Sequence, residues 1–423
     1  MKQQKICVIG LGYIGLPTSA MFATHGCEVV GVDINGKVVE ALSKGKIIIE
    51  EPYLDIMVQA AVRSGHLKAK RKPETADVFI ISVPTPITKD KKADMSYVVK
   101  ATEMIVPYLR KGNLVILEST SPTGTVEELV VPILEKSGLK IGEELYVGHS
   151  PERVLPGKIL WELVNNNRIV GGINRISAEK IRDLYKIFVN GEIYLTNATT
   201  AEMCKMMENT FRDVNIALAN ELAKICEKTG INVWEVIELC NKHPRVNIHQ
   251  PGPGVGGHCL AVDPWFIIEK NPELAKIIEL SRKTNDNMPY YVLDKIDEIL
   301  KDIKGNKKVT ILGMTYKPNI DDVRESPILK LIDLIDNRED LEINVYDPHV
   351  GVHKYQEKDL MVAAKDSDLL ILAVNHDVFR TLPLSEIAKV MRNRNFFDTR
   401  NFMDKEELEH LGFKYILLGE KAI

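Results

Sequence analysis

The apolar and polar positions of this 423-residue chain fall into two similar halves separated by a helical stretch. In the N-terminal part, KICVIGLG, EVVGVD, DVFIISVPTP and NLVILEST are short, β-branched, nearly unbroken apolar runs, each feeding a loop. Such runs read as strands buried on both faces, and their alternation with helical patterns predicts a parallel sheet covered by helices. The C-terminal third repeats the plan in KVTILGMTY, EINVYDP, DLLILAVNH and NFFDTR, again with a first strand ending at glycine and a second at aspartate. From about Thr199 to Lys301 the period changes to 3.6, and TTAEMCKMMENTFRDVNIALANELAKICEKTG has a Thr-Thr start and a closing glycine. The expected fold class is α/β: two Rossmann-like doubly wound parallel-sheet domains, residues 1–198 and 302–423, joined by a central helical domain, residues 199–301, with one long helix. That helix offers a dimer surface or serves as intrachain core.

Composition narrows the picture. Hydrophobic residues at 45% and charged residues at 27% are ordinary for a soluble globular chain. A net charge of −4 provides no broad cationic surface for nucleic acid, yet a small anionic ligand needs only a few local cations. The first apolar run is short and broken by glycines, unlike a signal peptide or a membrane span. Six cysteines are scattered without a CxxC pair or a Cys/His cluster, so neither a disulfide framework nor a metal site is expected. The reducing cytoplasm is the expected compartment.

Gly10-Leu11-Gly12-Tyr13-Ile14-Gly15 is a GxGxxG between a predicted strand and a helix beginning near Leu16. The first glycine permits the tight turn, the second admits a pyrophosphate to the backbone, and the third allows close helix–strand packing. Asp33 ends the second strand about 20 residues on, where a carboxylate binds the ribose hydroxyls and repels a 2′-phosphate, favouring NAD over NADP. Strand ends face the ligand crevice in such sheets, which places Thr85 of SVPTP and Thr120 of EST beside the cofactor. Turn chemistry alone accounts equally well for these two threonines.

PGPGVGGHCLAVDP is the most unusual stretch. Its glycines, Gly256 among them, expose backbone beside Cys259, and Asp263 follows four residues later. A thiol at a helix start beside free N–H groups becomes nucleophilic, although Asp263 opposes this and a cation must come from elsewhere. The other reading is an inert buried cysteine. Lys205, Asn209 and Arg212 lie at i, i+4 and i+7 of the long helix, on one face, with Met206, Met207, Phe211 and Val214 suggesting an enclosed setting. A solvated polar face and a site for a phosphorylated ligand both fit that stripe. Two further clusters, His149-Ser150-Pro151-Glu152-Arg153 and His243-Pro244-Arg245, read in isolation as ordinary ion-pair turns.

Taken in order, GLGYIGLP, SVPTP, EST, SPERVLPG, AEMCKMMENTFRDVNIALANEL, HPRVNI, GPGVGGHCLAVDP and MTYKPNIDDVRESP resemble the UDP-glucose/GDP-mannose dehydrogenase family over essentially the whole chain. The resemblance implies two successive NAD-linked oxidations at C6 of a UDP-sugar. It implies NAD contacts at Gly10, Gly12, Tyr13, Ile14, Gly15, Asp33, Thr85, Thr120 and Arg324. It makes Cys259 the nucleophile, Lys205 an acid/base or oxyanion stabiliser, and Asn209, Asp263 and Glu152 its catalytic companions. UDP and sugar contacts are implied at Arg153, Val154, Lys205, Asn209, Arg212, His243, Arg245, Gly256, Tyr316, Lys317 and Arg400. An arginine like Arg245 comes from the partner subunit in relatives, which implies a homodimer or a dimer of dimers. HPRVNI followed by PGPGVGGHC and VDPWF resembles the branch acting on a 2-acetamido sugar, and Val262, where members acting on UDP-glucose usually carry lysine, counts against UDP-glucose. Three rivals are a single-step hydroxyacid dehydrogenase, a nucleotide-sugar epimerase and an NAD-binding scaffold without catalysis. Tyr291 and Lys295 are the chain's only Tyr-xxx-Lys pair, in a charged late helix that suits no epimerase.

Overall fold

The computed structural model describes residues 4–49, 51–155 and 157–421. The chain forms two compact units. One takes the chain up to Glu208 together with Trp265–Pro272; the other takes Asn209–Pro264 and everything from Glu273 onward. The helix Ala198–Thr229 contributes to both, so the helical segment read from the sequence is divided between them.

Among the described residues of the first unit, eight strands form one sheet: β1 (Lys5–Ile9), β2 (Glu28–Val32), β3 (Leu67–Lys70), β4 (Val78–Ile81), β5 (Leu114–Leu117), β6 (Tyr146–His149), β7 (Arg168–Gly172) and β8 (Ile193–Asn197). Their order is β3-β2-β1-β4-β5-β6-β7-β8. Every pairing is parallel except β6 with β7, where the chain direction reverses. Period-two alternation sends Ile6 and Val8 of β1 to one face, against Leu16 and Ala20 of the helix Gly15–Thr24. It sends Cys7 and Ile9 to the other, with Val98 and Val126. Both faces are therefore covered, as the unbroken apolar runs require.

The second unit holds a five-stranded, wholly parallel sheet in the order β10-β9-β11-β12-β13, among its described residues. These strands are β9 (Lys307–Leu312), β10 (Leu341–Tyr346), β11 (Leu369–Leu372), β12 (Asn395–Asp398) and β13 (Lys414–Leu417). Placement of β9 between β10 and β11 matches placement of β1 between β2 and β4, so the repeat seen in the sequence is a repeat of topology. In both sheets the order reverses at the first strand, and ligand crevices open at the carboxyl ends beside such a reversal.

Candidate active site

In the first unit the crevice begins at Gly10, immediately after β1. Its φ is +96°, and a Cβ there would stand 2.2 Å from the Ser82 carbonyl oxygen, so only glycine closes this turn. Gly15 crosses close over Gly10, whereas Gly12 faces open space with its backbone accessible. Tyr13 and Ile14 lie between them, and the helix Gly15–Thr24 starts one residue before the expected position. Asp33 follows β2: its Oδ2 accepts from the Leu11 N–H at 3.0 Å and its Oδ1 from the Asn35 N–H at 2.8 Å. An open glycine turn, a helix N-terminus and a carboxylate at the second strand end are the features a dinucleotide needs, so these residues fit NAD.

Thr85 and Thr120 follow β4 and β5. Ser119 fastens their two loops, its Oγ accepting from the Val83 N–H at 2.9 Å and donating to the Val83 carbonyl at 2.7 Å. Glu202 of the long helix accepts from the N–H groups of Gly124 (2.6 Å) and Val126 (2.8 Å), anchoring the stretch beyond Thr120. One turn further along that helix Lys205 is buried. Burial, with a smaller contribution from the Lys205 charge, pushes His149 at the end of β6 down to about 3, so this imidazole is neutral.

Beyond β6 come Glu152, Arg153 and Val154. Glu152 Oε2 receives Arg168 Nη2 at 2.5 Å, while Oε1 accepts from the Arg153 N–H at 2.7 Å. The Arg153 guanidinium itself is engaged within the unit, by Glu208 Oε1 and the Asn167 carbonyl, both at 2.7 Å.

In the second unit the glycine loop is held by a polar spine that starts on the long helix. Gly252 N–H donates to Asn220 Oδ1 at 2.9 Å, and Asn220 Nδ2 donates to Asn285 Oδ1 at 2.9 Å. Asn285 Nδ2 and Arg282 Nη1 then both donate to Asp213 Oδ1, at 2.8 and 2.5 Å. At Gly256 a Cβ would lie 2.4 Å from the Glu325 carbonyl oxygen and 2.9 Å from Tyr316 Cβ, so the loop presses directly on that segment. Cys259 and Asp263 are joined through the backbone, the Cys259 carbonyl accepting from the N–H of Val262 (3.1 Å) and Asp263 (2.8 Å). Cys259 thus sits one turn ahead of the helix Asp263–Lys270.

The cysteines differ sharply in exposure. Cys259 and Cys240 are exposed, Cys204 is half-buried, and Cys7, Cys27 and Cys226 are buried. Burial raises the last three thiols, Cys7 to about 12, which leaves them unreactive at neutral pH.

Asn209 Nδ2 donates to Asp263 Oδ2 at 2.5 Å, so residues 54 apart in sequence meet beside the cysteine turn. Arg212 is exposed on the same helix. Arg324 grips Asp322 with two parallel bonds (Nε–Oδ1 2.8 Å, Nη2–Oδ2 2.6 Å). Burial and the Arg324 charge together lower the neighbouring His258. Arg324 is therefore a cation near the cysteine loop within this unit. Tyr316 and Lys317 follow β9, the Lys317 carbonyl accepting from Thr315 Oγ1 at 2.8 Å. Arg400, after β12, donates through Nε to the Ala373 carbonyl at 3.0 Å, and burial pushes it down to about 10. His243 and Arg245 occupy an exposed turn, where the Arg245 N–H donates to His243 Nδ1 at 3.3 Å.

One expectation fails in part. The apolar neighbours of the Lys205 stripe do not enclose the helix: Met206 is buried, but Met207 and Phe211 are 41% and 61% exposed. Each stands two residues beyond Lys205 or Asn209, about 200° round the axis and so on the opposite face of the helix. Sequence reading also passed over the spine of Asp213, Asn220, Arg282 and Asn285, although Asp213 and Asn220 lie seven apart, hence on one helix face. Among the described residues no helix is long and apolar enough to cross a membrane, and no three His, Cys, Asp or Glu side chains gather around a metal-sized space.

The chain matches the NAD-binding, central and UDP-binding domains of the UDP-glucose/GDP-mannose dehydrogenase family over residues 4–189, 199–287 and 310–405. A curated UDP-N-acetyl-D-mannosamine dehydrogenase of Methanococcus vannielii is 48% identical, over 100% of this chain and 98% of the relative. A solved UDP-N-acetyl-mannosamine dehydrogenase of Staphylococcus aureus is 50% identical with a TM-score of 0.90, covering 98% of this chain and 99% of that one. The UDP-D-ManNAc dehydrogenase structure from Pyrococcus horikoshii is 40% identical with a TM-score of 0.92, covering 99% and 100%. With all three domains present and an open glycine turn at its first strand, the chain belongs to the UDP-glucose/GDP-mannose dehydrogenase family and is an NAD-dependent oxidoreductase.

Proposed function

We propose that the chain oxidises UDP-N-acetyl-D-mannosamine at C6 to UDP-N-acetyl-D-mannosaminuronate, a four-electron change with Cys259 as covalent nucleophile. The observation that carries this reading is the glycine loop, which presents an exposed Cys259 one turn before Asp263, itself held by Asn209. Gly10, Gly12, Tyr13, Ile14, Gly15, Asp33, Thr85, Thr120 and Arg324 would hold NAD, which would supply the hydride acceptor for both oxidations. Cys259 Sγ adds to the aldehyde carbon left by the first oxidation and forms a thiohemiacetal. The second oxidation leaves a thioester, whose C–S bond breaks when water adds to the carbonyl carbon, giving the carboxylate and the free thiol. Lys205 neutralises charge developing on the C6 oxygen, a role typically worth about 3–4 kcal/mol. Asn209, Asp263 and Glu152 orient that oxygen or the attacking water. Arg153, Val154, Arg212, Gly256, Tyr316, Lys317 and Arg400 bind the UDP-sugar, with His243 and Arg245.

The choice of sugar rests on the names of the relatives and on Val262, which stands where lysine is usual in members acting on UDP-glucose. A homodimer, or a dimer of dimers, in the cytoplasm completes the proposal. Phe211, Leu218 and Ile225 support it, being exposed at seven-residue spacing on the long helix, the spacing of a helix–helix seam. The test is NADH formed per UDP-sugar, with UDP-N-acetylmannosamine, UDP-N-acetylglucosamine and UDP-glucose compared. Two equivalents from the first sugar are expected, and Cys259→Ser should abolish steady formation of the uronate. One equivalent would mean a single-step dehydrogenase, none an NAD-binding scaffold, and preference for another sugar would move the substrate within the family.

A further inference from the structure

The reversal of β7 carries a guanidinium to the crevice edge. Because β7 runs antiparallel to β6, its first residue, Arg168, lies at the end where β5 and β6 release Glu118 and Glu152. Arg168 is 5% exposed and stands between these two carboxylates, whose side chains are 0% and 8% exposed. Its Nη2 is 2.5 Å from Glu152 Oε2, while Nη1 donates to Ser150 Oγ at 3.1 Å and stays 3.7 Å from Glu118 Oε1. The guanidinium carbon lies 4.1 Å over the ring of Tyr185, which fixes its plane. Tyr185 Oη donates to Glu118 Oε1 at 2.8 Å, and Thr18, in the helix that follows the glycine turn, reaches Glu118 Oε2 at 3.4 Å.

One cation between two buried carboxylates cannot neutralise both. The distances decide which is favoured: Glu152 has the short, charge-assisted contact, and its second oxygen is held by the Arg153 N–H. Glu118 is left with hydroxyl partners and a distant guanidinium. We propose that Arg168 is a positioning residue for the dehydrogenase reaction, fixing the Glu152 carboxylate at the carboxyl end of β6, while Glu118 is the carboxyl left without a close cation. This rests on the reading of Glu152 as a catalytic group.

A double-mutant cycle in the full-length enzyme, with NADH formation as readout, separates this from a merely structural role. Arg168→Gln is expected to lower kcat tenfold or more while the KM values for NAD and UDP-sugar stay within threefold. In an Glu152→Gln background the same change should cost nothing further. Adding Glu118→Gln to Arg168→Gln should restore kcat severalfold, because Glu152 then no longer shares its pocket with a second carboxylate. Should Arg168→Gln fail to accumulate as folded protein, Arg168→Lys replaces it in the cycle, with a smaller loss and the same pattern. Additive losses, or no recovery on removing Glu118, overturn the assignment while leaving two NADH per sugar, and the parent reading, intact. A wild-type yield other than two overturns the parent reading, and the cycle still reports the Arg168–Glu152 coupling on whatever NAD reduction occurs. Full turnover by Glu152→Gln alone refutes both the catalytic role of Glu152 and this one.

Discussion

Replacing Arg282 by methionine tests whether the polar spine behind the cysteine loop is structural in the way its geometry indicates. Arg282 is 1% exposed and Asp213 fully buried, with 2.5 Å between Nη1 and Oδ1. Burial raises the Asp213 carboxyl, and the Arg282 charge is the largest influence opposing that rise. Methionine fills similar volume but leaves the carboxylate with Asn285 Nδ2 as its remaining side-chain donor, at 2.8 Å. Breaking a buried pair from one side costs about 3–5 kcal/mol. The sign with pH follows from the carboxyl being raised further: the folded variant binds a proton that the unfolded chain releases, so its stability falls as pH rises. The deficit should therefore be largest near pH 8 and shrink toward pH 5, and Asp213→Asn added to Arg282→Met should recover part of it at pH 8. Amide hydrogen exchange over the helix Lys276–Asp286 and the second half of the long helix reads the opening free energy directly. A deficit below about 1 kcal/mol, or one that does not vary with pH, would refute the account, since an uncompensated buried carboxylate gives neither.

Asp33→Ala is expected to raise the KM for NAD with little effect on that for the UDP-sugar; an unchanged NAD KM in steady-state assays would mean that the ribose contact lies elsewhere. Gly256→Ala forces a methyl within 2.4 Å of the Glu325 carbonyl oxygen, so the loop must shift. Alkylation of Cys259, followed by mass spectrometry with exposed Cys240 as internal reference, should change rate severalfold, and an unaltered ratio would show that the loop yields freely. His149, pushed down to about 3 mainly by burial, stays neutral while an unfolded histidine protonates below about 6.5. Its contribution is therefore complete above that pH and lost as pH falls toward 3, by about 2 kcal/mol between pH 6.5 and 5. His149→Leu should remove that part of the acid sensitivity in urea melts; identical pH slopes for variant and parent would contradict it.

Legibility in the sequence followed physical range. β1, β2, β4 and β5 and their C-terminal counterparts were readable because strands buried on both faces need unbroken apolar runs, and Gly10, Gly15 and Asp33 because the turn between them is local. β7 and β8 were missed: β7 mixes a charged residue with two glycines, and β8 is largely half-exposed, so neither shows the period of a core strand. Lys205 and Asn209 shared a helix face as expected, but the meeting of Asn209 with Asp263 spans 54 residues and no local pattern announces it. The same holds for Glu118, Glu152 and Arg168, which come from three segments and acquire meaning only through strand direction.

Strand direction also explains why this unit keeps an antiparallel strand in an otherwise parallel sheet. A parallel strand after β6 would start at the opposite edge, and its first residue could not reach groups released at the carboxyl ends. Reversal at β7 puts Arg168 beside Glu152 with no long side-chain excursion, and Tyr185 then holds the guanidinium flat. β8 pairs with β7 in parallel and leads directly into the long helix at Ala198, so the same reversal sets where that helix begins. Glu202 and Lys205 follow within its first turns, one fastened to the loop beyond Thr120 and the other buried within electrostatic reach of His149. A single change of strand direction thus positions both the guanidinium behind Glu152 and the lysine proposed to stabilise the reacting oxygen.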